Sequence, residues 1–260
     1  MTANLQPKIW RLIPFMTASG AVQMALDRWL LNQHLLGLHP PTLRFYTWSP
    51  VAISLGHHQS KVPVAWRDLT WQGEAVELVR RPSGGRAVLH QGDLTYAIAA
   101  SGFSNQRSQA YQEICQFLVE GWRSLSVPLQ FGRAGRGYIH NPNCFGTATG
   151  ADLVMANGAK IIGSAQLRQG TAILQHGSMR LDPDPALYRT VFGLELEPLA
   201  FPLHLNQGDK IERIIEALVH SACQCFGVEL VEQPLSDAEW QMVLAEVEKH
   251  KLAAVKPVFS

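Results

Sequence analysis

Four cysteines occur in the 260 residues, and Cys144 differs from the other three in its neighbours. It sits in NPNCFGTATG, a run of Asn, Pro, Gly and Thr that favours turns over core. A loop cysteine can be reached by a substrate, and nearby positive charge favours the nucleophilic thiolate. Cys115 falls on the apolar stripe of an expected helix, and Cys225 lies close to the stripe of another. There a free thiol acts as a small hydrophobe. Cys223 has no evident role. Packing in the core is the commoner use of a free cysteine, and that reading stands beside the nucleophilic one for Cys144. The spacing of the four matches no zinc pattern, so no metal site is expected.

A lysine is the second candidate. Asn157-Gly158 between DLVMA and AKIIGSAQ is a strong hairpin signal. Taken as a two-residue turn, it pairs Ala156 with Ala159 and Met155 with Lys160. Lys160 then shares a face with Leu153, Met155 and Ile162, while Val154, Ile161 and Ala165 occupy the other. Both faces are largely apolar. The lysine either snorkels at a sheet edge or points a desolvated ammonium into a pocket. Gly163 and Ala165 leave space nearby, and His176-Gly177 ends the next strand.

The third candidate is RRPSGGRAVLHQGDLTYAI, from Arg80 to Ile98. Gly84 and Gly85 let backbone approach a ligand, with Arg80, Arg81 and Arg86 crowding positive charge around them. A tight turn with solvated arginines explains the same residues.

These segments need elements to position them. Apolar spacing predicts a helix from Ser19, as its cap, to about Gln33, and another over Gln109–Leu125. Strands are expected at LRFYTWS, VAISLG, VELVRR, RAVLH, LTYAIAA and TAILQHGSM. Two C-terminal helices are expected over 209–226 and 236–252, the latter opened by a Ser236/Glu239 capping box. This order predicts an α+β fold with a mixed or antiparallel sheet, in a single domain over residues 1–260.

Composition bounds the function. Hydrophobic residues make up 47% and charged residues 17%, enough for a large core. Lys and Arg number 22 against 21 Asp and Glu, with no basic run, so nucleic acid is not an expected partner. No apolar stretch reaches the ~18 residues of a membrane span, and MTANLQPKIWRLIPF lacks a secretory pattern. A cytoplasmic location is expected.

Several motifs in order resemble the lipoate–protein ligase and octanoyltransferase superfamily. They are MALDRWLL, LRFYTWSP, SLGHHQ, the Arg80–Ile98 segment and GSAQLRQGTAILQHGS, covering about Met24 to Arg180. The resemblance implies the mixed-sheet α+β domain shared by biotin and lipoate protein ligases. It implies that the first motif binds the acyl substrate through Arg80, Arg81, Ser83, Gly84, Gly85, Arg86, Ala87 and His90. The second would contribute Gly163, Ser164, Ala165, His176 and Gly177. Arg86 stands where the ligases tend to carry a third glycine. In this, GGRAVLH…LTY is similar to the Gram-positive-type octanoyl-[acyl carrier protein]:protein N-octanoyltransferases, as is GSAQ-x-RQ…ILQHGS. Their catalytic cysteine, followed by Phe, maps onto Cys144-Phe145, and their motif lysine onto Lys160. Gln91 departs from an expected acidic residue, and the loop between Phe145 and Leu153 differs strongly.

The implied reaction moves octanoate from acyl carrier protein to a lysine of lipoyl-domain proteins, through a thioester on Cys144 and without a cofactor. Glycine-cleavage H protein and dehydrogenase E2 subunits are the implied acceptors. The alternative is an ATP-dependent lipoate or octanoate ligase using magnesium and an acyl-adenylate. In that case Arg80, Arg81 and the glycines would serve the phosphate. A third reading is a non-catalytic protein that keeps the pocket and docks lipoyl domains.

Overall fold

The computed structural model describes residues 8–132, 152–202, 205 and 209–251. Cys144 and its loop lie outside the described residues. The chain opens with β1 (Lys8–Ala18), α1 (Gly20–Leu35), β2 (Thr42–Trp48) and β3 (Ala52–Leu55). Short strands β4 (Thr70–Trp71), β5 (Glu74–Ala75), β6 (Glu77–Arg80) and β7 (Val88–His90) follow. Next come β8 (Asp93–Ser101), α2 (Arg107–Ser124) and β9 (Leu129–Phe131). After these run β10 (Asp152–Met155), β11 (Lys160–Gln169) and β12 (Ala172–Arg180). The described order ends on α3 (Pro185–Phe192), α4 (Lys210–Phe226), β13 (Val228–Glu232) and α5 (Asp237–Glu246).

The fold is α+β, as the sequence predicts. Its main sheet has the order β13-β1-β2-β8-β12-β11-β10-β9. β1 runs parallel to β13 and β2, and the other neighbours are antiparallel. A smaller sheet, β6-β3-β7, carries the Arg80–His90 segment between two of its strands. Alternation along β8 explains the layering. Tyr96, Ile98 and Ala100 pack with Ile114, Phe117 and Trp122 of α2 and with Leu218 of α4. Ala97 joins Met24 and Leu31 of α1 on the opposite face. The central strands are therefore buried on both sides.

Several expectations are corrected. Ser19 does not cap α1 with its side chain. Instead the Glu77 carboxylate of β6 accepts from the N–H groups of Gly20 (2.6 Å) and Ala21 (3.1 Å), placing negative charge at the helix N-terminus. The last helix ends at Glu246, not 252, and a 3-10 turn over Val247–Lys249 follows. That early stop lets His250 bond backbone to backbone with Arg80. Cys225, expected close to the apolar stripe of its helix, is exposed. β1 and β13 were not expected from the sequence at all. Pro14 and a register shift between Ile13 and Met16 break the regular strand pattern of β1.

The hairpin correction matters most. Gly158 N–H donates to Met155 C=O, Met155 N–H donates to Ala159 C=O, and Gly158 has φ +87°. The loop is thus three residues, 156–158, closed by a left-handed glycine. The longer loop moves the register by one, so Lys160 pairs with Val154 rather than Met155. A bulge then restores Leu153 opposite Ile162.

One ion pair ties the two ends of the described chain. The buried Arg11 of β1 forks onto Glu239 of α5 at 2.7 and 3.0 Å, and Glu239 also closes the Ser236 capping box. Hydrogen bonds from Arg11 hold the Glu239 carboxyl down at about 2. Its stabilising effect is complete above the ordinary carboxylate value of about 4.3 and disappears as pH falls toward 2. Glu239→Ala should cost ~3 kcal/mol at pH 7, because the guanidinium stays buried without its partner. Denaturant unfolding at several pH values should show the gap between variant and wild type closing below pH ~4.

Candidate active site

The glycine segment folds around a buried guanidinium. Arg81 donates to the carbonyls of Gly84 (2.8 Å), Arg86 (2.7 Å) and Ser54 (2.9 Å). Gly85 has φ +98°, and a Cβ there would lie 2.7 Å from the Arg81 guanidinium, so only glycine suits the turn. Gly56 packs against the Gly85 carbonyl with the same economy of space.

Two carboxylate–imidazole–hydroxyl chains brace this turn. Asp27 of α1 holds His176 Nδ1 at 2.7 Å, and His176 Nε2 meets Ser83 Oγ at 2.5 Å. Asp27 also pairs with Arg44 (3.0 Å) and accepts from the Tyr46 hydroxyl (2.9 Å). On the other side, Asp93 holds His90 Nδ1 at 2.8 Å, and His90 Nε2 meets Ser54 Oγ at 2.8 Å. Thr95 and Ser178 donate to the same Asp93 oxygen. Burial pushes the His90 pKa down, which keeps the ring neutral, with Nδ1–H donating and Nε2 accepting. Trp48 stacks on His90 at 3.7 Å.

Beside the turn lies a cavity of about 750 Å³. Arg81, Gly84, Gly85, Arg86 and His90 line it from the small-sheet side. Lys160, Gly163, Ser164, Ala165, His176 and Gly177 line it from the main sheet. Met24, Tyr46, Trp48 and Val88 give it an apolar wall suited to an aliphatic chain. Three expected residues do not line it. Arg80 turns to the carbonyls of Gly56, His57 and Gln59, Ser83 is buried beneath the turn, and Ala87 packs in the core with Ile53 and Leu55.

Lys160 does not snorkel. Its Nζ lies 2.9 Å from Asp152 Oδ1, and both side chains are about 95% buried. Asp152 has a place in the site that sequence reading missed. The signal was present: a three-residue turn sets Lys160 opposite Val154, hence on the strand face that Asp152 shares. Asp27 was legible only as a charge among apolar neighbours on α1. Burial raises the Cys115 thiol to about 11, an inert core group. Among the described residues, no three His, Cys, Asp or Glu side chains gather as a metal site. No described helix is long and apolar enough to cross a membrane.

Comparison with known proteins gives this geometry a family. Octanoyltransferase LipM of Kyrpidia tusciae is 34% identical over 94% of this chain and 91% of its own length. The Bacillus subtilis protein of the same name is 36% identical over 69% and 68%. A putative lipoate protein ligase from T. acidophilum, solved with bound lipoic acid, superposes with a TM-score of 0.73 at 20% identity, covering 94% of this chain and 96% of that one. Residues 19–197 match the lipoyl protein ligase A/B catalytic domain, and the chain belongs to that family.

Proposed function

We propose that the chain transfers an octanoyl group from acyl carrier protein to the lysine of a lipoyl domain, through a thioester on Cys144. The observation that carries this is sustained identity, 30% and 34% along nearly the whole chain, to relatives named octanoyltransferases. Similarity to lipoate ligases is structural, at about 20% identity, and speaks for the fold alone. The ATP-dependent reading therefore has less behind it.

The chemistry divides into two steps. Exchange of the carrier thioester for one on Cys144 changes little free energy, so no nucleotide is needed. Attack by the acceptor lysine then forms an amide, which drives the sequence forward. Covalent catalysis of this kind needs an activated nucleophile. An ordinary cysteine, with pKa ~8.5, is only a few per cent thiolate at neutral pH. Lys160 supplies positive charge that favours the thiolate, offset in part by the Asp152 carboxylate 2.9 Å from its Nζ. The apolar wall of Met24, Tyr46 and Trp48 holds the acyl chain, and the glycine turn closes over it.

Two experiments test this reading. Intact mass of an apo lipoyl domain, incubated with the enzyme and either octanoyl-carrier or octanoate plus ATP, identifies the donor. Modification from the carrier without ATP is expected, and Cys144→Ser should abolish it. Modification that requires ATP and survives Cys144→Ser would establish a ligase, and no modification from either donor would leave a binding protein.

The second experiment reads the role of Lys160 without substrate. Lys160→Ala should raise the Cys144 pKa, and one unit is ~1.4 kcal/mol, or about a tenfold loss of thiolate below the pKa. Iodoacetamide alkylation followed against pH should shift to the right by that order. An unchanged profile would remove Lys160 from thiol activation.

A further inference from the structure

We infer that His250 is a positioning residue for the acyl cavity, its imidazole fixing the peptide plane from which Arg81 departs to shape the glycine turn. In its kinetic consequence the inference rests on the octanoyl-transfer reading. β6 has β3 as its sheet partner on one side. On the other edge Lys251 bridges to Val79, and Arg80 N–H donates to the His250 carbonyl at 3.0 Å. An edge strand needs partners of this kind for its outward backbone groups. The outward carbonyl of Arg80 finds one in the ring of the same residue, with His250 Nδ1 at 3.1 Å.

The next amide points the other way. Arg81 N–H donates to the Leu55 carbonyl of β3 at 3.0 Å. Arg80 C=O and Arg81 N–H are the two ends of one planar peptide. That peptide is gripped from both sides, and turning it would carry the Arg81 guanidinium away from the Gly84 and Arg86 carbonyls. His250 is itself 8% exposed, and burial lowers its pKa, so the ring is neutral at pH 7. A neutral imidazole has one N–H, and the nitrogen facing a carbonyl is the one that carries it. The seat of this segment is α1. His250 N–H donates to Val247 C=O at 3.0 Å, and Val247 packs against the clusters that hold Met24 and Leu26. α1 also supplies Asp27, which braces Ser83 through His176. Both supports of the turn therefore refer to one helix.

The test compares three substitutions by where they place a donor. His250→Phe keeps a ring and loses the N–H. His250→Asn returns a donor near the position of Nδ1, and His250→Gln moves it out to that of Nε2. Amide hydrogen exchange reads the turn without substrate. In His250→Phe, exchange over residues 81–88 should speed about tenfold, the scale of a buried carbonyl left without its donor, while α2 and β8 keep wild-type rates. KM for octanoyl-carrier should rise about as much, with the maximal loading rate within about twofold of wild type. His250→Asn should restore both readings, and His250→Gln neither.

Unchanged exchange over 81–88 in His250→Phe overturns the inference, as does a rise spread evenly through the main sheet. So does His250→Asn behaving no better than His250→Phe. Should His250→Phe fail to fold, His250→Asn against His250→Gln carries the question, and equal exchange in the two refutes it. If the wild-type enzyme loads no octanoate, the transfer reading fails, while the exchange comparison still decides the role of His250.

Discussion

The site depends on one buried cation. Arg81 is 5% exposed and has taken its charge out of water, so the fold must surround it with acceptors. It does so with the carbonyls of Ser54, Gly84 and Arg86, which belong to two separate segments of the chain. Satisfying the guanidinium therefore fixes the shape of the glycine turn and pins it to β3. The turn would otherwise be a solvated loop with two flexible residues. Here it is a wall.

The paired Asp–His–Ser chains extend that constraint outward. Each histidine links a buried carboxylate to a serine that the turn or its anchor uses, so the wall is braced from α1 and from β8 at once. Polar chains of this kind stabilise a unique arrangement only when every member is satisfied. In both chains the two ring nitrogens of the histidine are paired. Walls braced in this way enclose the cavity that Lys160 and Asp152 line as an ion pair. Orientation fixed before binding is a large share of what an acyltransferase needs.

Much of this was legible in the sequence, and the misses have physical causes. α2 follows a clean helical period because it buries one apolar stripe, and β8 and β12 were legible as strand-forming runs bounded by turn residues. β1 was unreadable because Pro14 and a bulge interrupt it, although parallel pairing on both sides holds it in place. Arg80 and Arg81 are neighbours with opposite fates, one facing a surface loop and one the buried turn, and alternation alone does not say which. Asn157-Gly158 signals a hairpin in two- and three-residue forms alike, and that single ambiguity hid the pairing of Lys160 with Asp152. Asp27 and His176 lie 149 residues apart, so only the folded sheet brings them together.

The central claim is that acyl transfer passes through a thioester on Cys144. Its most direct test is peptide mapping of the enzyme after a single exposure to octanoyl-carrier, with the lipoyl domain and ATP both withheld. The account predicts an octanoyl group on the peptide bearing Cys144, lost on treatment with hydroxylamine and chased to lysine when the lipoyl domain is added. An adduct on another residue, or none until ATP is supplied, would contradict it.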